Sequence, residues 1–244
     1  MQAAPGRARL TLTNGPVSPR ILRTTDNGAR IGLVATTAML LGGDHIELDI
    51  AVGPAAWLEL VETAGTVAYD ADGVRSSWRV RIRVADGGVL IWSGEPFVVA
   101  NGANVERSTA IDLGAEAVAC IRETLVLGRS GETGGSLRST MSVRQAGSRA
   151  EHPVGAGHST VLLEHLDLTD PGVRALPGLL ADARVIDSVC LLGMRAPADP
   201  ALPAGTRFEL DGPGSIARSL TVGFAASGLA PVMAGWSAAA LERV

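Results

Sequence analysis

At 244 residues, with 46% hydrophobic side chains and a mean hydropathy of +0.25, the chain carries enough apolar material for a large core, which excludes a disordered polymer. Its net charge is -4, and its 21 basic residues are all arginine with no long basic run, which excludes a nucleic-acid footprint. Aromatic residues make up 3%, too few for a base- or sugar-stacking platform.

The start, MQAAPGRARLTLTNGP, has no apolar stretch of the export-signal kind, and no apolar run is long enough to span a bilayer. A soluble, cytoplasmic protein without a membrane or nucleic-acid partner is therefore expected. Period-two alternation dominates from there on. In IELDIAV (46–52), Ile46, Leu48, Ile50 and Val52 share one side and Glu47 and Asp49 the other. SWRVRIRV (77–84) sets Trp78, Val80, Ile82 and Val84 against Arg79, Arg81 and Arg83, and VERSTAIDL (105–113) and LRSTMSV (137–143) repeat the pattern. Turn signals such as VGPA, DADG, ADGG and NGAN separate these runs. Many short strands with glycine-rich turns predict a mainly β fold, with stacked antiparallel or β-solenoid-like sheets. Beyond residue 170 the pattern changes. PGVRALPGLLADA (171–183) reads as a broken helix or turn region, and SIARSLTV (215–222) and APVMAGWSAAALER (230–243) read as short helices. One domain over 1–244 is expected, β-rich over 8–170 and mixed strand and helix over 171–244.

Local motifs for chemistry are sparse. ETLVLGRSGETGG (123–135) breaks from an apolar strand into four glycines, but a phosphate loop needs a lysine and the chain has none. GPGSIA (212–217) matches the dinucleotide pattern G-x-G-x-x-[GA], yet too little chain follows for the rest of a βαβ unit, so a helix-start loop is expected. No nucleophile elbow is present. Of the four histidines, His45, His152, His158 and His165, two lie in HPVGAGH at a spacing unlike a helical metal pair, and a surface loop is the reading; no closed structural metal site is predicted. Cys120 and Cys190 sit in apolar stretches as buried free thiols, with a single bridge as the alternative. The carboxylates say more. On one side of AVACIRETLVL (117–127), Glu123 is the sole polar group among Ala117, Ala119, Ile121, Leu125 and Leu127. In TVLLEHLDL (160–168), Glu164 interrupts Leu162, Leu166 and Leu168. A carboxylate on a buried face needs a partner, water or a cation, which makes each a functional candidate. The plainer alternative is a structural pair with an arginine such as Arg129 or Arg138. Glu95, in WSGEPF, and Asp44, in LLGGDHIEL, are two further acids at strand ends.

Taken in order, LLGGDHIELDIAVGPAAWLEL, ETAGTVAY, LIWSGEPFVVANGANVERSTAIDL, ETLVLGRSGETGGSLRS and VIDSVCLLGMRAP resemble the urease accessory protein family UreD, also called UreH, in register from about Pro16 to Arg195. The segment before LLGGD is shorter than in many relatives, and the C-terminus lacks an arginine-rich ending. The resemblance implies a mostly β, non-catalytic maturation factor. It implies binding to apo-urease and to UreF, which recruits the GTPase UreG, and nickel delivery through a water-filled passage. No tightly bound cofactor is implied, only transient Ni(II). Oxygen ligands hold Ni(II) less tightly than thiolates or clustered imidazoles, so scattered carboxylates suit transit. Asp44, Glu95, Glu123 and Glu164 are carried over as candidate passage-lining acids, with Arg129 and Glu132 shaping the glycine loop or touching urease. Trp236, on a short C-terminal helix, is a candidate interface anchor or a core side chain. Two rival classes stand beside this reading: a hydrolase with dispersed carboxylates such as Glu123 and Glu164, and a small-ligand-binding β domain. An open acid-lined passage and a stable UreF-type complex favour the maturation factor over both.

Overall fold

The computed structural model describes residues 1–4, 7–147, 157–198, 202 and 205–244. From β2 (Gly28–Ala35) onward the chain alternates between two facing sheets. It runs through β3 (His45–Val52), β4 (Trp57–Glu62), β5 (Thr66–Ala68), β6 (Ser76–Val84), β7 (Val89–Ser93), β8 (Phe97–Val99), β9 (Asn104–Leu113), β10 (Val118–Leu127) and β11 (Ser136–Ala146). In the first sheet β2, β4, β7 and β10 pair in parallel; in the second, β3, β6, β9 and β11 do the same. The result is a β-solenoid of about four turns. Of the two expected arrangements, the solenoid is the one formed, and the core pairs are parallel because each strand returns only after crossing to the opposite sheet.

Antiparallel strands close the solenoid's ends. β1 (Val17–Thr24) lies on β2, and β12 (His158–Asp167) lies on β11. β13 (Val185–Leu192) lies on β10, followed outward by β15 (Gly214–Thr221) and β14 (Arg207–Glu209). Alternation assigns the faces as expected: Trp78, Val80, Ile82 and Val84 are buried between the sheets while Arg79, Arg81 and Arg83 face out. The inter-sheet core also takes in Leu90, Ile111, Leu113, Leu137 and Leu192. A second apolar layer forms on the outer side of the first sheet, where α2 (Ala230–Leu241) sets Val232, Met233, Trp236 and Ala240 against Val118, Cys120, Val189 and Leu191.

The tail departs from expectation in one place. SIARSLTV is not a helix but most of β15, because its Ile216 and Ala217 serve the two opposite faces of a buried strand. GPGSIA is accordingly a turn into a strand rather than a helix start. The broken helix or turn region over 171–183 is a single turn, α1 (Pro171–Arg174), followed by turns, and the final helix forms within the expected 230–243, with Pro231 in its first turn. Cys120 and Cys190 are free and buried, Cys120 in the outer layer and Cys190 in the inter-sheet core, so alternation sends their thiols to opposite faces and no bridge joins them. Burial pushes the Cys120 thiol up to about 12 and that of Cys190 higher still. Among the described residues, no helix is long and apolar enough to cross a membrane.

Candidate functional site

The first sheet has a break in it. β7 pairs with β10 as far as Ser93 opposite Arg122, and β8 resumes at Phe97 opposite Leu125. Between them Gly94, Glu95 and Pro96 interrupt the strand, although the Gly94 N–H still donates to the Arg122 carbonyl at 3.2 Å and the Pro96 carbonyl accepts from the Thr66 N–H at 3.0 Å. Gly94 allows this because a Cβ there would lie 2.6 Å from the Arg122 carbonyl oxygen. The same interruption separates β4 from β5 one turn earlier. Register then aligns a row of inward positions across the strands: Glu62 at the end of β4, Gly94 beyond β7, Glu123 on β10, Ser188 on β13 and Arg218 on β15. With strands spaced about 4.8 Å apart, Glu62 and Arg218 lie roughly 10 Å on either side of Glu123 along this row. Arg107 and Thr109 of β9, Ser139 of β11 and Glu164 of β12 face the row from the second sheet.

Two small cavities follow it. One, of about 30 Å³, lies behind the break and is lined by Glu62, Glu95, Trp92, Arg107, Thr109 and Glu123. The other, of about 20 Å³, is lined by Glu123, Ser139, Glu164, Ser188 and Arg218. Each has room for a water or two, and the Glu123 side chain is a wall of both.

The acids are held by specific partners. Glu123 Oε1 accepts from Arg107 Nη2 at 2.8 Å and from the Thr109 hydroxyl at 3.4 Å. Glu164 meets Arg218 through both oxygens, at 2.6 and 2.8 Å, while Arg218 Nε donates to the Ser188 hydroxyl at 2.9 Å. Thus each glutamate pairs with an arginine, but with Arg107 and Arg218 rather than Arg129 or Arg138. Those two pair locally, with Glu132 and Asp167, because they point away from the interior. Burial pushes the Glu62 carboxyl up, against the pull of donors from the Glu95 backbone and Trp92 Nε1, both at 3.0 Å, and the positive charge of Arg107. On the outer side of the first sheet, fully buried Asp187 accepts twice from Arg122 and once from Thr124.

The family model of the UreD urease accessory protein matches residues 2–240. The chain is 47% identical over 204 residues to urease accessory protein UreD 1 of Streptomyces griseus, covering 84% of this chain and 74% of that protein. It is 37% identical over 203 residues to UreD of Frankia casuarinae, covering 82% and 61%, and 40% identical over 207 residues to UreD of Frankia alni, covering 78% and 67%. This chain belongs to the UreD urease accessory protein family. Its place is therefore in urease maturation, as an accessory protein and not as a catalyst. The match also extends past the segment from Pro16 to Arg195 on which the resemblance stood.

Within this UreD-family fold, the expected site residues are dispersed. Glu123 and Glu164 lie in the polar row, and exposed Glu95 stands at its rim beside the break. Asp44 lies apart, in the turn before β3, where its carboxylate accepts from the Leu41 N–H at 3.0 Å. Arg129 and Glu132 organise the glycine loop. Glu132 accepts from the Arg129 and Asn101 backbone N–H groups and from the Arg129 guanidinium, and these bonds, the Arg129 side chain first, hold its carboxyl down to about 2. Asn101 takes the Thr133 and Gly134 N–H groups, and buried Arg174 donates to the carbonyls of Thr133, Gly134 and Gly135. The N–H groups of Gly128, Arg129, Glu132, Thr133, Gly134 and Gly135 are thus all directed at protein acceptors rather than at a phosphate. Trp236 is 1% exposed, so the candidate anchor is core packing of α2 against the sheet, and its Nε1 has no hydrogen-bond partner.

Three ionisable side chains in or facing the row, Glu62, Arg107 and Arg218, escaped the sequence reading. Glu62 follows Leu58 and Leu60 on an inward face, and Arg107 follows Val105, the same alternation signal that exposed Glu123. Arg218 was hidden by the helix expectation. Of the histidines, His45 Nδ1 lies 2.8 Å from the Ser77 hydroxyl and His158 is exposed at the start of β12, while His152 lies outside the described residues. Among the described residues, no group of three or more histidine, cysteine, aspartate or glutamate side chains is arranged to hold a metal ion.

Proposed function

We propose that this chain is a cytoplasmic scaffold of the urease maturation complex, binding apo-urease and UreF and, through UreF, UreG. In this reading Ni(II) is cargo, moving through the inter-sheet interior along the row that runs from Glu62 and Glu95 past Glu123 to Glu164. The observation that carries it is that row: ionisable side chains set at one level across a β core that is otherwise apolar, with cavities on both sides of Glu123. Buried charge is costly to maintain, and a stable fold alone is as well served by apolar residues of the same volume. The dispersion of the acids suits the role, since one carboxylate at a time holds Ni(II) weakly enough to release it. The 58% exposure of the Arg129 side chain in the glycine loop supports a contact there with a partner such as urease. Asp44 takes no part in the route.

The test is urease activation in cells supplying UreF and UreG. Glu123→Gln and Glu164→Gln are expected to reduce nickel loading of urease about tenfold while the variants still co-elute with UreF on size-exclusion chromatography. Full nickel loading by both variants would remove the row from the mechanism, and a chain that elutes alone while UreF and UreG associate would remove the scaffold role.

A further inference from the structure

Arg107, Arg122 and Arg218 each reach a carboxylate on or between the packed faces of the sheets, and they are not tethered alike. Arg122 grips Asp187 through Nε and Nη2. Arg218 uses all three nitrogens, on Ser188 and both oxygens of Glu164. Arg107 is 8% exposed yet holds its partner by Nη2 alone, and its Nε and Nη1 are buried without a hydrogen-bond acceptor. Unsatisfied buried donors are unfavourable, so Arg107, beside a cavity, has two donors available to a further partner. Its guanidinium lies 4.9 Å over the Phe97 ring, which supports the cation without fixing its direction by a hydrogen bond.

The surroundings name the second partner. Arg107 lines the cavity that also holds Glu62, and the two attract each other across it. The Arg107–Glu123 bond stands where the two cavities meet, because Glu123 is a wall of both. A divalent cation moving from one to the other would pass the carboxylate that Arg107 holds by Oε1.

We infer that Arg107 is a displaceable counter-ion: it closes the row at Glu123 until a divalent cation takes that carboxylate, and the guanidinium then turns to Glu62 on the other side of the same cavity. Each carboxylate keeps a positive neighbour throughout, so the interior never holds a bare charge. The cation is held only as tightly as its advantage over a guanidinium, which keeps its stay short. This inference rests on the passage reading above and adds to it the residue that sets cation affinity.

The experiment is calorimetric titration of nickel chloride into the full chain. Removing the competitor in Arg107→Met is expected to tighten Ni(II) binding about tenfold. The gain should vanish in the double variant Arg107→Met/Glu123→Gln, because the carboxylate it exposes is gone. Arg107→Gln, neutral but polar, carries the same expectation should the methionine variant fail to fold, and thermal melts establish which variants are native. A folded Arg107 variant with unchanged Ni(II) affinity overturns the counter-ion, as does a gain that survives loss of Glu123. The two proposals fail separately. If Glu123→Gln and Glu164→Gln lower nickel loading of urease but the Arg107 variants bind Ni(II) as before, only the counter-ion is lost. If those glutamate variants load urease fully, the passage itself is lost.

Discussion

On the outer face of the second sheet, Arg79 and Arg81 of β6 meet Glu47 and Asp49 of β3, and Arg138 and Arg144 of β11 meet Asp167 and Asp112, every pair open to water. On the inner side of the same strands, and on the sheet opposite, Arg107 meets Glu123 and Arg218 meets Glu164 among tryptophan, phenylalanine and leucine. The charged groups are of the same kinds, but parity turns one set outward to pair along a single sheet and the other inward to pair across the two sheets. Outside, water screens the charges and a pair adds little to stability. Inside, each ion needs its partner, and losing one leaves the other stranded. The outer ladders coat a sheet with matched charge. The inner pairs hold charge in a place where apolar residues of the same volume would serve folding as well, which is the ground on which the route is proposed.

Three substitutions sharpen this contrast, beginning with the largest effect. Asp187→Ala removes the fully buried partner of Arg122 and should destabilise the fold by about 3–5 kcal/mol in urea denaturation. A loss as small as that of an outer pair would mean burial does not separate the two classes. Next, Glu62→Gln bears on pH. The folded-state pKa of Glu62 is raised above its ordinary value of 4.5, so its protonated form favours the fold. The stability this provides is complete below about pH 4.5 and is lost as pH rises through the higher folded value. The glutamine variant should therefore be more stable than the parent at neutral pH, and the two should converge in acid. Stability profiles that stay parallel across this range would contradict a buried carboxyl at that position. Smallest is Arg81→Ala on the outer ladder, expected to change unfolding free energy by less than about 0.5 kcal/mol.

The legibility of the site follows the same rule of parity. Glu123 and Glu164 were visible in the sequence because each interrupts an apolar side of a strand. Glu62 and Arg107 obeyed the same rule and were missed because Glu62 ends its strand and Arg107 shares its side with a second polar residue, Thr109. The partners were not legible at all. Arg107 lies sixteen residues from Glu123, and Arg218 lies fifty-four from Glu164, each on the far sheet or in a segment whose short apolar run fits helix and strand equally well. Trp236 shows the converse: its helix was plain in the sequence, but which side of that helix meets the sheet depended on the second apolar layer of Val118, Cys120, Val189 and Leu191.

By itself the sequence determined the strand material, the inward and outward sides of most strands, the terminal helix, the failure of a phosphate loop without lysine, and through its ordered motifs the UreD family. All of these rest on local alternation, turn chemistry and residue identity, which a chain carries whether or not it is folded. Only the tertiary structure decided that the strands wind as a parallel solenoid, that SIARSLTV extends, that the two cysteines point to opposite faces, and that Glu62, Glu123, Ser188 and Arg218 fall on one level. Those depend on register between strands far apart in sequence, and a shift of one residue would have turned every one of these side chains to the other face.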